Sequence, residues 1–242
     1  MILFGHRGAA GEAPENTLTG FAHAVRVGVR AFELDVHLTL DGELVVIHDN
    51  SPLRTTGMAG SVEEFRTAEL TALDARQPHP DWPEAAPIPT LYQVLTAFPD
   101  MDAYQIEIKR AAPEKLPAIC RRLVEVIHET GVTERVEISS FDPAALAAMR
   151  EVAPELRRAY IGAYDSPAWI EQALALGCSG ACIPHRSTTP EVVQLAHQHH
   201  LAITGWPGNR EEELALLSTW NPSAITTDYP TRALAFLRAQ QG

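Results

Sequence analysis

Short β-rich runs recur through the second half of this chain at a spacing that leaves few folds open. Val136-Glu137-Ile138-Ser139, Arg158-Ala159-Tyr160-Ile161, Ala181-Cys182-Ile183, Leu201-Ala202-Ile203-Thr204 and Ala224-Ile225-Thr226-Thr227 start about 22 residues apart, close to the least that a strand, a loop, a helix and a return can occupy. Ala/Leu-rich stretches of helical periodicity fill the gaps. Asp142-Pro143, Ser166-Pro167 and Thr189-Pro190 punctuate their starts. Each pairs an N-cap oxygen with a proline suited to the first helical position. Repeated strand-then-helix units imply a parallel sheet.

The first half adds three more such strands, Ile2-Leu3-Phe4, Ala31 to Val36 and Tyr104 to Lys109. The total is eight, which predicts an α/β fold of the TIM (β/α)8 barrel type over residues 1–242 as a single domain. An open doubly wound sheet is the competing architecture, but no G-x-G-x-x-G fingerprint accompanies the first turn. Glu43-Leu44-Val45-Val46-Ile47 is left over. It follows Asp41-Gly42, a hairpin turn signal, with no room for a crossover helix. Folding the chain back there brings His48 near Glu33 to Asp35. Residues 51–89 then break the rhythm with a capping-box pattern at Ser61 to Glu64 and a proline-rich stretch. That length is excessive for a βα loop, so 51–89 reads as a small inserted cap after the third strand, lying over one end of the barrel.

Bulk properties restrict the partners. With 31 acidic and 19 basic residues the formal net charge is -12, which argues against gripping nucleic acid or an anionic membrane through a basic face. No stretch approaches the roughly 18 apolar residues that span a bilayer, and MILF is too short for a signal-peptide apolar region. Cys120, Cys178 and Cys182 form no metal-spaced cluster. They read as reduced, packed thiols of a cytoplasmic protein.

In such a barrel the reactive groups gather at the C-terminal ends of the strands. Those ends carry His6-Arg7, Glu33 with Asp35, His48-Asp49, and Glu107 with Lys109. Residues two apart on a strand share a face, so Glu33 and Asp35 point together and Glu107 points with Lys109. Three carboxylates turned toward one cavity repel each other and lose hydration. A hard divalent cation resolves that conflict, and all-oxygen ligands favour Mg²⁺, Ca²⁺ or Mn²⁺ over Zn²⁺. Two histidines beside the site suit paired proton transfers, while Arg7 and Lys109 supply charge for a phosphate oxygen.

His6-Arg7-Gly8, Pro14-Glu15-Asn16-Thr17, Glu33-x-Asp35, Asp41-Gly42, His48-Asp49, Glu107-Ile108-Lys109, Ser140-Phe141 and Thr227-Asp228-Tyr229-Pro230 stand in this order along nearly the whole chain. The set closely resembles the signature of the glycerophosphodiester phosphodiesterases. The resemblance implies a TIM barrel with an inserted cap that hydrolyses small-molecule glycerophosphodiesters to sn-glycerol 3-phosphate and an alcohol, using one divalent cation, Mg²⁺ or Ca²⁺ with Mn²⁺ as a third option. It implies catalytic roles for His6 and His48, cation ligation by Glu33, Asp35 and Glu107, and substrate contacts from Arg7, Asn16, Lys109 and Trp206. The family's Trp-Thr-Val-Asn is here Trp206-Pro207-Gly208-Asn209, a loop expected to be reshaped. A lysophospholipase D-type enzyme on a similar barrel and a non-catalytic phosphodiester-binding barrel are the alternatives.

Each residue also has a structural reading. His6 and Arg7 alone could form a solvated turn, and Glu107 with Lys109 a plain ion pair inside the barrel. Asn16 is a good helix N-cap, Asp49 could simply fix the loop, and Ser140 could only shape a turn. His185 is placed where it could reach the pocket. His197, His199 and His200 read as surface residues at a helix C-terminus.

Overall fold

The computed structural model of the protein, described over residues 1–240, confirms the barrel. Its parallel strands are β1 (Ile2–His6), β2 (Ala31–Leu38), β4 (Ala103–Ile108), β5 (Val136–Ser140), β6 (Arg157–Ile161), β7 (Gly180–Pro184), β8 (Ala202–Trp206) and β9 (Ala224–Thr227). β1 pairs with both β2 and β9 and closes the sheet. The leftover strand is β3 (Leu44–Val46), antiparallel to the far end of β2 with Val36 opposite Val46 and Leu38 opposite Leu44. Gly42 closes the turn between them at φ +86, a conformation that costs glycine nothing.

Helices pack outside the barrel: α1 (Leu18–Val27), α4 (Leu91–Ala97), α5 (Leu116–Thr130), α6 (Pro143–Val152), α7 (Ala168–Ala175), α8 (Pro190–Gln198), α9 (Glu211–Thr219) and α10 (Pro230–Ala239). The strand period separates two environments. Leu34, Ile106, Ile108 and Ile138 face the helices and join Phe21, Leu95, Leu123 and Met149 in one buried apolar layer. The alternate positions face inward, where Phe4, Ala31, Ala103 and Ala224 fill the lower barrel. Above that level the inward positions His6, Glu33, Gln105 and Glu107 line the upper end.

Two of the three expected proline-led helix starts place the cap residue as read, and only Asp142 also makes the side-chain capping bond. Asp142 accepts a hydrogen bond from the Ala144 N–H at 2.9 Å at the head of α6, and Thr189 precedes Pro190 of α8 in an extended conformation. The third is displaced by one residue, because Pro167 itself occupies the cap position of α7 and Ser166 makes no capping bond. Asp142→Ala is expected to cost about 0.5–2 kcal/mol, readable as a lowered Tm with unchanged activity.

Residues 51–89 carry α2 (Leu53–Thr56), a 3₁₀ turn at Val62–Glu64 and α3 (Thr67–Leu70). They build a small apolar cluster of Val62, Leu70, Ala75 and Ile88 on Val45 and Ile47 of the hairpin. Asp41 accepts from both the N–H and the hydroxyl of Thr67, which fastens the segment to the hairpin turn. Among the described residues no helix is long and apolar enough to cross a membrane.

Candidate active site

Strand register brings the charged residues together. His6 stands beside Glu33 across β1 and β2, and Asp35 stands beside Glu107 across β2 and β4. The hairpin then returns the chain, with the Ile47 N–H donating to the Asp35 carbonyl at 3.1 Å. His48 therefore reaches the same rim, as the turn at Asp41-Gly42 predicted. A cavity of about 140 Å³ opens there. His6, Arg7, Glu33, His48, Gln105 and Glu107 form its polar side, whereas Phe141, Ile161, Cys182, Trp206 and Pro207 form its apolar side. The division follows the strand order, since β1, β2 and β4 are contiguous and β5 to β9 complete the circle.

One oxygen from each of Glu33, Asp35 and Glu107 lies within 4.8 Å of the others, and all three residues are buried. Their charges are unequally compensated. Asp35 is held well below the usual carboxylate range despite burial, by Lys109 and then Arg7. Its oxygens take Lys109 Nζ at 3.3 Å, Arg7 Nε at 3.4 Å and the Asn16 amide at 2.8 Å. Burial and then the Asp35 charge push Glu33 up to about 7 and Glu107 up to about 8. Lys109 Nζ also meets Glu107 at 2.7 Å. One fixed anion beside two carboxyl groups reluctant to ionise is an arrangement that a hard cation stabilises. The donor set is all oxygen and fits Mg²⁺, Ca²⁺ or Mn²⁺.

The two histidines are held alike. His6 Nδ1 meets Asp228 Oδ1 at 2.5 Å, and His48 Nδ1 meets Asp49 Oδ1 at 2.7 Å. An ionised carboxylate only accepts, so each ring keeps its proton on Nδ1 and leaves Nε2 for other work. His6 Nε2 lies 3.7 Å from Glu33. Burial opposes charge on His6, but Glu33 and the Asp228 bond outweigh it and raise its pKa. On His48 burial prevails, with Arg7 and Lys109 offsetting the pull of Asp35, and the pKa falls.

The same loop holds two non-glycine residues at positive φ. Arg7 sits at φ 51, a region costing most non-glycine residues roughly 1–2 kcal/mol, and Asn16 at φ 54, which asparagine adopts more readily. Gly8 follows Arg7 at φ +87, and a Cβ there would lie 3.1 Å from the backbone of Gly20 and Phe21. The turn directs Arg7 inward, where Nη1 donates to Glu15 at 3.0 Å.

The expected residues do not all occupy the cavity wall. Arg7 and Trp206 do, the latter in an edge-on pair with Phe141 at 6.1 Å between centroids. Asn16 and Lys109 instead meet Asp35. His185 faces Glu213 at 3.5 Å rather than the cavity. Ser140 shapes the turn, donating to the Ile108 carbonyl and accepting from the Asp142 N–H. His197, His199 and His200 are exposed. Sequence reasoning missed the roles of Asp228 and Glu15, although both lie inside motifs it singled out. It also missed Asn209, whose amide donates to Asp228 Oδ2 at 2.5 Å while its Oδ1 accepts the Asp228 N–H at 2.8 Å. The loop that departs from the expected pattern thus still anchors the partner of His6.

A profile of the glycerophosphoryl diester phosphodiesterase family matches residues 6–232. The chain belongs to that family. It is 32% identical to the glycerophosphodiester phosphodiesterase of Bacillus altitudinis over 235 residues, 96% of each chain. It is also 32% identical over 241 residues to the enzyme of the same name from Caldanaerobacter subterraneus subsp. tengcongensis, covering 98% of each. A phosphodiesterase from Oleispira antarctica, solved with its product sn-glycerol-3-phosphate, superposes with a TM-score of 0.90 at 26% identity, covering 98% of this chain and 97% of that one. This member of the family is accordingly a hydrolase.

Proposed function

We propose that this phosphodiesterase hydrolyses glycerophosphodiesters to sn-glycerol 3-phosphate and an alcohol, with a divalent cation held by Glu33, Asp35 and Glu107. The observation that carries the reading is the convergence of that buried carboxylate cluster with two Nδ1-anchored histidines on one cavity. The product named for the Oleispira relative supports the substrate class.

When bound, the cation supplies charge neutralisation and lowers the pKa of a hydroxyl close to it. The protein's own groups do the rest. Arg7, braced by Glu15, presents a guanidinium to the phosphate. One histidine takes the proton of the attacking hydroxyl at Nε2, and the other delivers a proton to the leaving oxygen. The attacker is water or the substrate's own glycerol hydroxyl. The apolar half of the cavity, with Phe141 and Trp206, packs against carbon and excludes water. Residues 51–89 act as the cap over this face. The buried, unpaired state of Cys120, Cys178 and Cys182 supports a reducing, cytoplasmic setting.

The deciding assay offers glycerophosphocholine, glycerophosphoethanolamine and a lysophospholipid, each in chelator and with Mg²⁺, Ca²⁺ or Mn²⁺ restored. Release of glycerol 3-phosphate only when cation is present is the expected result. Turnover of the lysophospholipid alone would replace this substrate class, and no turnover would leave a binding barrel. Within the working enzyme, Asp228→Asn is expected to lower kcat roughly 10–100-fold, the usual scale for a hydrogen-bond partner that orients a functional histidine. An asparagine can turn its NH₂ toward Nδ1, which frees His6 to carry its proton on Nε2. Unchanged kcat would remove Asp228 from that role.

A further inference from the structure

The inserted segment meets the partners of the site's working groups through Arg54. Arg54, on α2, donates from Nε to Asp49 Oδ2 at 2.6 Å, and from Nη1 and Nη2 to the two oxygens of Glu15 at 2.7 and 2.8 Å. Each carboxylate it meets holds a different working group. Asp49 binds His48 Nδ1, and Glu15 binds Arg7 Nη1. We propose that Arg54 is a positioning residue that sets His48 and Arg7 relative to each other, so that the inserted segment and the proton-transfer and phosphate-binding groups form one unit. The proposal rests on the function assigned above to His48 and Arg7.

An exposed ion pair would not justify this, since such pairs contribute little. Two features separate Arg54 from that case. Glu15 is only 8% exposed at its side chain, so losing Arg54 leaves a buried carboxylate shared with Arg7 alone. The planar fork also fits both partners at once, two nitrogens on Glu15 and the third on Asp49, which a lysine's point charge cannot reproduce. The anchoring is reinforced nearby, where His79 Nε2 of the same segment bonds the Ala10 carbonyl in the loop that carries Arg7 and Glu15.

The test combines kinetics with a measurement that needs no turnover. Arg54→Ala and Arg54→Lys are each expected to lower kcat/KM roughly 10–100-fold, with kcat falling through His48 and KM rising through Arg7. In a background carrying Asp49→Asn and Glu15→Gln, Arg54→Ala should change kcat/KM by no more than about twofold, since the partners through which it acts are gone. Ring ¹⁵N signals of His48 should shift in both Arg54 variants, because Asp49 is no longer held. Full activity in the lysine variant, an undiminished loss in the Asn/Gln background, or His48 signals identical to wild type would each overturn the proposal. If wild-type protein hydrolyses no glycerophosphodiester, the assigned function falls and the ring signals still decide the role of Arg54. The lysine variant covers the event that the alanine variant does not fold.

Discussion

Replacing either His6 or His48 by alanine is expected to remove nearly all turnover while leaving the fold in place. Each proton transfer is worth on the order of 10²–10⁴-fold. Both rings stand on the cavity with Nδ1 fixed and Nε2 left for the transfer, and Glu33, the carboxylate nearest His6 Nε2, is assigned here to the cation. The fold should tolerate the loss, because both side chains are partly exposed, at 24% and 32%. Their partners also remain bonded elsewhere, Asp228 to Asn209 and Asp49 to Arg54. The double variant should lose little beyond either single one, since groups serving one chemical step are not additive. Steady-state kinetics with glycerophosphocholine and a thermal melt of each variant decide this. Substantial turnover in both purified single variants would dismiss the acid/base pair.

How far this site could be read in advance follows from which interactions are local. Glu33 and Asp35 share a face because strand geometry alternates, and Glu107 joins them because parallel strands align in register. Both facts follow from short stretches of sequence. The placement of His48 was legible for the same reason, since Asp41-Gly42 dictates a fold-back. Asp228 was not, because its bond to His6 depends on β9 closing against β1, a contact spanning 222 positions. Arg54 was less legible still. Nothing periodic marks an arginine in an inserted segment, and its role arises only from where two distant carboxylates meet.

The limits are equally physical at the small scale. Lys109, one residue past the end of β4, reads from sequence as a phosphate contact. Its long side chain, however, meets Glu107 and Asp35, where two carboxylates attract it more strongly than open cavity does. Asn16 likewise turns its amide to Asp35. In Ser166-Pro167 the proline takes the cap position, a one-residue shift that composition does not distinguish.

Without a bound cation the protein is expected to lose stability as pH rises from about 5 to about 8, and a divalent cation should abolish that loss. Burial and the neighbouring Asp35 charge push Glu33 up to about 7 and Glu107 up to about 8 in the folded chain, against 4.5 for an unperturbed glutamate. Across that interval the folded state keeps protons that the unfolded state has released. Stability therefore falls as pH rises, beginning above the unfolded pKa and ending past the folded one. Each unit of difference is worth about 1.4 kcal/mol per group, so the two carboxyl groups together shift Tm measurably. Asp35 does not blunt the effect. Its folded pKa is depressed, so its contribution is already complete above the unfolded value and is lost only at lower pH. A cation abolishes the loss because it binds the ionised carboxylates of the folded state alone, adding about 2.7 kcal/mol at a hundred times its Kd. Scanning calorimetry in chelator and in Mg²⁺, Ca²⁺ or Mn²⁺, at several pH values, measures both effects. Glu107→Gln should flatten the pH dependence in chelator, since one of the two titrating groups is gone and Glu33 faces one fewer neighbouring carboxylate. It should also remove most of the stabilisation by cation. A flat wild-type profile in chelator, or equal stabilisation of the Glu107→Gln variant by cation, would mean that these three carboxylates do not form the cation site.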